Sequence, residues 1–120
     1  MMQVLRNMCY AKIHGATVTQ TELFYEGSIT IARDLLEAAG MLPNERVQIV
    51  NMSNGSRIET YIIEGDARSG VICLNGPAAR TAFVGDKVHI LAYGMLPEEE
   101  ARGLTLNVVH VDEQNQIAQP

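Results

Sequence analysis

Residues 46–63 run Arg46-Val47-Gln48-Ile49-Val50, then Asn51-Met52-Ser53-Asn54-Gly55, then Ser56-Arg57-Ile58-Glu59-Thr60-Tyr61-Ile62-Ile63. The first segment alternates, the second carries Asn-Gly at its tip, and the third is rich in β-branched and aromatic residues. That order predicts a β-hairpin. Side chains repeat every second residue along a strand. Arg57, Glu59 and Tyr61 are therefore expected on one face, with Ile58, Thr60 and Ile62 on the other.

Outward from the hairpin the same kind of segment recurs. Downstream, a polar loop at Gly65–Gly70 precedes a predicted strand Val71-Ile72-Cys73-Leu74. Asn75-Gly76-Pro77-Ala78-Ala79-Arg80 follows, and its proline suits the first position of a helical turn whose free amides can hold an anion. Val84–Tyr93 predicts a turn and strand, Pro97–Arg102 an acidic helical turn, and Asn107–Asp112 the last strand. Gln114–Pro120 is expected to be a loose tail. Upstream, Lys12-Ile13-His14 and Ala16-Thr17-Val18-Thr19 predict a strand bent or bulged at Gly15, with Lys12 and His14 on one face. A single helix is expected where Ile31, Leu35, Leu36 and Ala39 form an apolar stripe ending at Gly40. A helix that short packs on a sheet rather than in a bundle. Many short strands and few helices predict a mainly β chain, closed as a barrel so that few edges stay exposed.

The chain has 120 residues, room for one domain, and its 47% hydrophobic content argues against disorder. A net charge of −5 argues against nucleic acid or anionic lipid as a partner. No run approaches a membrane span, and the start lacks a signal peptide's apolar core, so a cytoplasmic location is expected. Cys9 and Cys73 are too few for a disulfide framework and are expected to be small buried apolar residues. His14, His89 and His110 lack metal-ligand spacing, so no metal site is expected. No phosphate-binding loop, dinucleotide fingerprint or Gly-x-Ser-x-Gly elbow is present. An enzyme built from this chain would draw its electrophile from a cofactor bound without a motif, or from the chain itself.

Tyr25-Glu26-Gly27-Ser28, followed by Ile29-Thr30-Ile31, admits two readings. Gly27-Ser28 is a turn leading into the helix, with the serine hydroxyl on free amides. Alternatively, Ser28 attacks the Gly27 carbonyl, which a glycine leaves sterically open.

Seven stretches, in order over nearly the whole chain, carry a resemblance: Ala11–His14, Tyr25–Ser28, Ala38-Ala39-Gly40, Asn54-Gly55 with Arg57–Tyr61, Leu74–Arg80, Val84-Gly85-Asp86 and Met95–Ala101. Together they resemble the bacterial aspartate 1-decarboxylases, a pyruvoyl-dependent family. The resemblance implies a six-stranded double-psi β-barrel with short helices, one domain over residues 1–120. It implies self-cleavage between Gly27 and Ser28 into a small chain (1–27) and a large chain (28–120), assembled as a homotetramer with sites at subunit interfaces. The implied cofactor is a pyruvoyl group made from Ser28, which forms a Schiff base with L-aspartate. The products are β-alanine and CO2, and the pathway served is pantothenate and coenzyme A synthesis.

By the same resemblance Ser28 is the catalytic precursor and Tyr61 the proton donor. Gly27, Ser28, Thr60, His14 and Tyr25 serve self-processing, Thr60 by a hydrogen bond to the Gly27 carbonyl. Arg57, Lys12, Asn75, Gly76, Pro77, Ala78 and Ala79 form the substrate site. A maturation factor that assists cleavage is compatible with it. Phe24 stands where histidine is common, Val50 where some members have tryptophan, and Pro77 where alanine is frequent; all three bear on the shape of the pocket. The alternatives are a non-catalytic double-psi barrel that binds or assembles, and a pyruvoyl decarboxylase for another amino acid. Ser28, Thr60, Arg57 and Tyr61 all together count against the first, and a cationic clamp favours an acidic substrate over the second.

Overall fold

A computed structural model describes residues 2–118 of the chain. The strands are β1 (Leu5–Thr17), β2 (Gln20–Glu22), β3 (Ser28–Ala32), β4 (Arg46–Asn51), β5 (Arg57–Gly65), β6 (Ile72–Asn75), β7 (Lys87–Pro97), β8 (Asn107–Val111) and β9 (Ile117–Ala118). Two short helices, α1 (Arg33–Ala39) and α2 (Glu98–Arg102), and a 3-10 turn (Gly76–Thr81) complete the described elements. The chain is mainly β with short helices, as expected. No helix among the described residues is long and apolar enough to cross a membrane.

The hairpin forms in the expected register, with Arg46 opposite Tyr61 and Val50 opposite Arg57. The strands hydrogen-bond in the order β2-β6-β3-β5-β4-β7-β1-β8-β9. Three of these pairs are parallel, β1 with β8, β2 with β6 and β3 with β5. The long β1/β7 ladder changes register between Ile13 and Ala16, where Gly15 takes φ +74°, which is the bulge its glycine predicts. A second shift, between Cys9 and Ala11, is marked by no glycine.

Inward side chains of the strands build the core: Ile13, Ile29, Ile31, Ile49, Ile62, Ile72, Leu74 and Ile90 are fully buried, with Leu35 and Leu36 of α1 packed among them. β6 is buried at every position and β3 at all but Thr30, so both read as nearly continuous buried runs rather than half-wet strands.

Two expectations need correction. Ile31 belongs to β3, and α1 begins only at Arg33, with no side chain capping it. The β-branched run Ile29-Thr30-Ile31 favours a strand, and burial on both sides of that strand outweighs the helical spacing of Ile31 with Leu35. Ser28 therefore opens a strand and caps no helix. The helix does end at Gly40, in the left-handed conformation at φ +74°.

Nor is the tail loose through Ala118. β9 pairs with β8, and Asn115 is almost completely buried. Its Oδ1 accepts from the Thr17 N–H at 2.8 Å, and its Nδ2 donates to the carbonyls of Thr17 and Gly70, each at 2.8 Å. Residues 119 and 120 of the expected tail lie outside the described residues. Asn115 also sits at φ +58°, a conformation asparagine tolerates better than most residues. Asn115→Ala is expected to strand buried backbone groups and to cost about 2–4 kcal/mol. Urea unfolding checks this through a lower midpoint at unchanged slope.

Candidate active site

Ser28 and Asn75 face each other across the antiparallel β3/β6 pair. Ser28 is fully buried, so its hydroxyl must find partners inside the protein. Oγ donates to the Glu26 carbonyl at 3.1 Å and accepts from Asn75 Nδ2 at 2.9 Å. The same Nδ2 donates to Thr30 Oγ1 at 3.0 Å, and the Asn75 amide oxygen accepts from Cys73 Sγ at 3.1 Å. Of the two cysteines expected to be buried, Cys73 is and Cys9, on β1, is only half-buried; Cys73 moreover serves as a hydrogen-bond donor and not merely as apolar filling.

The segment before Ser28 is held by a glycine contact. Gly76 takes φ +63°, and a Cβ on it would lie 2.7 Å from the Tyr25 carbonyl oxygen and 2.9 Å from both N and Cα of Gly27. The 3-10 turn therefore packs directly on the Gly27 backbone. Pro77 continues the contact, its Cδ 3.4 Å from the place a Cβ on Gly27 would occupy. A cavity of about 310 Å³ opens here, lined by Gly27, Ile58, Glu59, Thr60, Pro77, Ala78 and Thr81. Ala79 lies half-buried in the same turn, and the Tyr25 side chain is exposed.

Strand β5 extends the site along its wet face. Arg46, Glu59, Thr60, Tyr61 and Asn44 line a second hollow of about 430 Å³. Arg46, Gln48, Arg57, Glu59 and Tyr93 line part of a third, of about 730 Å³. Arg57 Nη1 donates to Gln48 Oε1 at 2.9 Å, and the Tyr93 hydroxyl donates to the same oxygen at 3.2 Å. The Tyr61 hydroxyl reaches the Glu26 carboxylate at 3.5 Å, joining β5 to the segment before Ser28. Thr60 borders the cavity of Gly27, but no hydrogen bond links its hydroxyl to the Gly27 carbonyl among the described residues.

One chain thus brings together Gly27, Ser28, Asn75, Gly76, Pro77, Ala78 and Thr60, with Tyr61 and Arg57 further along β5. It keeps Lys12 and His14 apart from them: both lie on β1, separated from β3 by β5, β4 and β7 in the strand order, and neither lines the Gly27 cavity. The His14 ring stacks on His89 with centroids 4.1 Å apart and lies 5.3 Å from His110. No His, Cys, Asp or Glu cluster among the described residues could hold a metal ion. Three residues carry more than their sequence suggested. Glu59 lines all three hollows, a position foreshadowed only by its alternation with Arg57 and Tyr61. Thr30 and Cys73 flank Asn75 through a strand register that no local motif announces.

The arrangement joins a hydrogen-bonded serine hydroxyl, a glycine directly before it that borders a cavity, and a hollow with arginine and phenol groups. It suits a small anionic substrate and a reaction begun by the chain itself. Comparison with known proteins agrees with a small acidic substrate. Residues 4–118 match the family described as aspartate decarboxylase. The aspartate 1-decarboxylase of Bacillus pumilus is 59% identical over 114 residues, covering 95% of this chain and 90% of that one. The aspartate 1-decarboxylase of Listeria monocytogenes is 58% identical over the same shares, and that of Salinibacter ruber 55% identical over 92% of this chain and 76% of its own.

The histidine cluster has its own electrostatics. Burial pushes His14 below the ordinary imidazole value, helped by the Lys12 charge and by His110. Burial likewise lowers His89, helped by His14 and Lys12. His89 Nδ1 accepts from the Gly15 N–H at 3.0 Å, a bond that protonation at that nitrogen would break. With folded-state values below 6.5, the unfolded chain binds more protons as pH falls past that point. Stability present above pH 6.5 is therefore lost on acidification towards the folded values. Ring titrations by NMR should show both midpoints below 6.5, and Lys12→Met should raise them.

Proposed function

The chain belongs to the aspartate decarboxylase family, and on that premise we propose that it converts L-aspartate to β-alanine and CO2 after cutting itself between Gly27 and Ser28. The observation that carries this reading is the buried Ser28 hydroxyl, bonded by Asn75 and directly following a glycine that packs against Gly76. In this reading Oγ attacks the Gly27 carbonyl carbon. The peptide C–N bond breaks, a proton passes to the Ser28 nitrogen, and an ester remains. Loss of the Ser28 α-proton then breaks Cβ–Oγ, leaving that oxygen on Gly27 as part of a carboxylate. Hydrolysis of the resulting dehydroalanine releases ammonia and leaves a pyruvoyl group at the head of residues 28–120.

The residues present fit such a group: the oxygen to be lost has a hydrogen-bond donor, and Gly27, the residue that loses its bond to 28, borders a hollow. A pyruvoyl group supplies a ketone that condenses with the substrate amine and draws off electrons as CO2 leaves. The chain's own residues bind, orient and deliver protons. Thr60, beside Gly27, is suited to polarise its carbonyl after a side-chain rotation. Arg57 presents a planar fork that suits the retained side-chain carboxylate of aspartate. Ion pairing to the departing carboxylate would instead stabilise the ground state as its charge is lost. Tyr61 protonates the substrate α-carbon. Amides of the turn at Asn75, Gly76, Ala78 and Ala79, with Pro77 shaping its start, orient the reacting end.

The separation of β1 from β3 in the strand order of the sheet supports a site completed across a homotetramer, with Lys12 and His14 supplied by a neighbouring subunit. Phe24 and Phe83, more than four-fifths exposed, support assembly of this kind. The parallel pairs β1/β8 and β3/β5 among antiparallel neighbours support the six-stranded double-psi barrel. We assign the reaction to pantothenate and coenzyme A supply in the cytoplasm.

Intact-mass measurement of the purified protein tests the proposal. Fragments 1–27 and 28–120, the second beginning with a ketone, are expected; a chain that stays whole under all conditions would favour a non-catalytic barrel. Ser28→Ala is expected to stay folded, whole and inactive, and any cleavage after Gly27 in it overturns the mechanism. Arg57→Ala and Tyr61→Phe are both expected to cleave. Arg57→Ala should lose about 2 kcal/mol in kcat/KM, the worth of a hydrogen bond to a charged group. Tyr61→Phe should slow turnover about a hundredfold, as loss of a positioned proton donor does. Steady-state kinetics on aspartate check both, and normal constants in either variant remove that residue from its role.

A further inference from the structure

Ser28, Thr30, Cys73 and Asn75 form a square on one face of the β3/β6 pair, Ser28 opposite Asn75 and Thr30 opposite Cys73. Their neighbours Ile29, Ile31, Ile72 and Leu74 alternate to the other face and are fully buried. Four polar side chains in this setting must satisfy one another, and the hydrogen bonds of Asn75 do so: both of its N–H groups and its oxygen are used.

We propose that Thr30 and Cys73 are positioning residues for self-cleavage, which together fix the Asn75 amide with its nitrogen, not its oxygen, aimed at Ser28 Oγ. The inference rests on the self-processing reading and deepens it. A side-chain amide is nearly symmetric in shape, so its partners decide which end points where. Burial pushes the Cys73 thiol above its ordinary range and keeps it protonated. A thiol that keeps its proton donates it, and the Asn75 oxygen is the acceptor 3.1 Å away. The nitrogen is thereby turned toward the two hydroxyls. Thr30 Oγ1 accepts one N–H, leaving the other for Ser28 Oγ. The Ser28 proton is already directed to the Glu26 carbonyl, so Oγ has a lone pair free to accept.

The orientation matters because Oγ must be held for the attack and must then accept the electron pair when the ester's Cβ–Oγ bond breaks. In the attack on the Gly27 carbonyl the negative charge builds on the carbonyl oxygen, and the Asn75 N–H serves there to hold Oγ in place with its proton directed to the Glu26 carbonyl. When Cβ–Oγ later breaks, the electron pair stays on Oγ, now part of the Gly27 carboxylate. An N–H aimed at that oxygen stabilises the transition state of this elimination, in which the uncleaved chain is lost. A reversed amide would set an oxygen against it, removing the donor that holds Oγ and opposing the elimination.

The test follows the lifetime of the uncleaved chain, by intact mass, after rapid purification of the full-length protein. Cys73→Ala and Thr30→Val each remove one partner of Asn75, while Cys73→Ser and Thr30→Ser keep a hydroxyl in its place. The expected result is cleavage slowed about tenfold in Cys73→Ala and in Thr30→Val, the worth of about one hydrogen bond. Both serine variants should recover at least most of the rate. Ile72→Val, on the opposite face of β6, should cleave at the wild-type rate, which separates positioning from loss of packing. Thermal unfolding of each variant identifies any that fails to fold, and the Thr30 pair alone then decides. Wild-type cleavage rates in both Cys73→Ala and Thr30→Val overturn the inference, as does equal slowing in the serine variants. A wild-type chain that never cleaves overturns the self-processing reading itself, and this inference with it.

Discussion

At position 76 there is room for a hydrogen atom and nothing larger. A Cβ there would overlap the Tyr25 carbonyl and the backbone of Gly27, and the left-handed φ would strain any other residue besides. Several features depend on this contact. It turns the chain out of β6 just after Asn75, so that Asn75 meets Ser28 across the ladder. It brings Pro77 and Ala78 to the wall of the Gly27 cavity. It also holds residues 25–27, a stretch without regular secondary structure, against the rigid end of a buried strand. The site is thus built by backbone packing first and side-chain chemistry second.

The same order explains what was legible in the amino acids. The hairpin at 46–63 could be read because alternation and Asn-Gly are local signals, and the bulge at Gly15 because a lone glycine in a strand is one as well. Ile31 misled because its spacing to Leu35 fits a helix, whereas the deciding force was burial between β5 and β6, a non-local fact. Asn115 looked like part of a polar tail, and only the approach of Thr17 and Gly70 shows why it is buried. Within the site, Ser28, Asn75, Arg57 and Tyr61 were named in advance by resemblance to a family. Cys73 and Thr30 were not, since their meeting depends on the pairing register of β3 with β6. Glu59 was placed on the correct face, but its place in the wall of the Gly27 cavity depends on how the turn after β6 folds back.

The chain carries a net charge of −5, yet the wet face of the hairpin sets Arg46 and Arg57 beside one hollow. Local field and overall charge thus have opposite signs. The net charge discourages binding to polyanions, while the two guanidinium groups favour a small acid that can enter the hollow. Glu59 between them limits how much negative charge the hollow accepts, which favours one small molecule over a polyanionic surface.

Strand β1 has thirteen residues, pairs with both β7 and β8, and lies wholly within residues 1–27. Cleavage after Gly27 would make those ladders the grip of one polypeptide on another. Folding before the cut is a unimolecular search by a single chain. Refolding after it would be a bimolecular encounter between fragments whose recovery depends on concentration. The small fragment carries few of the core residues and little chance of ordering alone. The mature protein would then show hysteresis: assembled readily from its precursor, durable while intact, and poorly able to re-form once its two pieces have diffused apart.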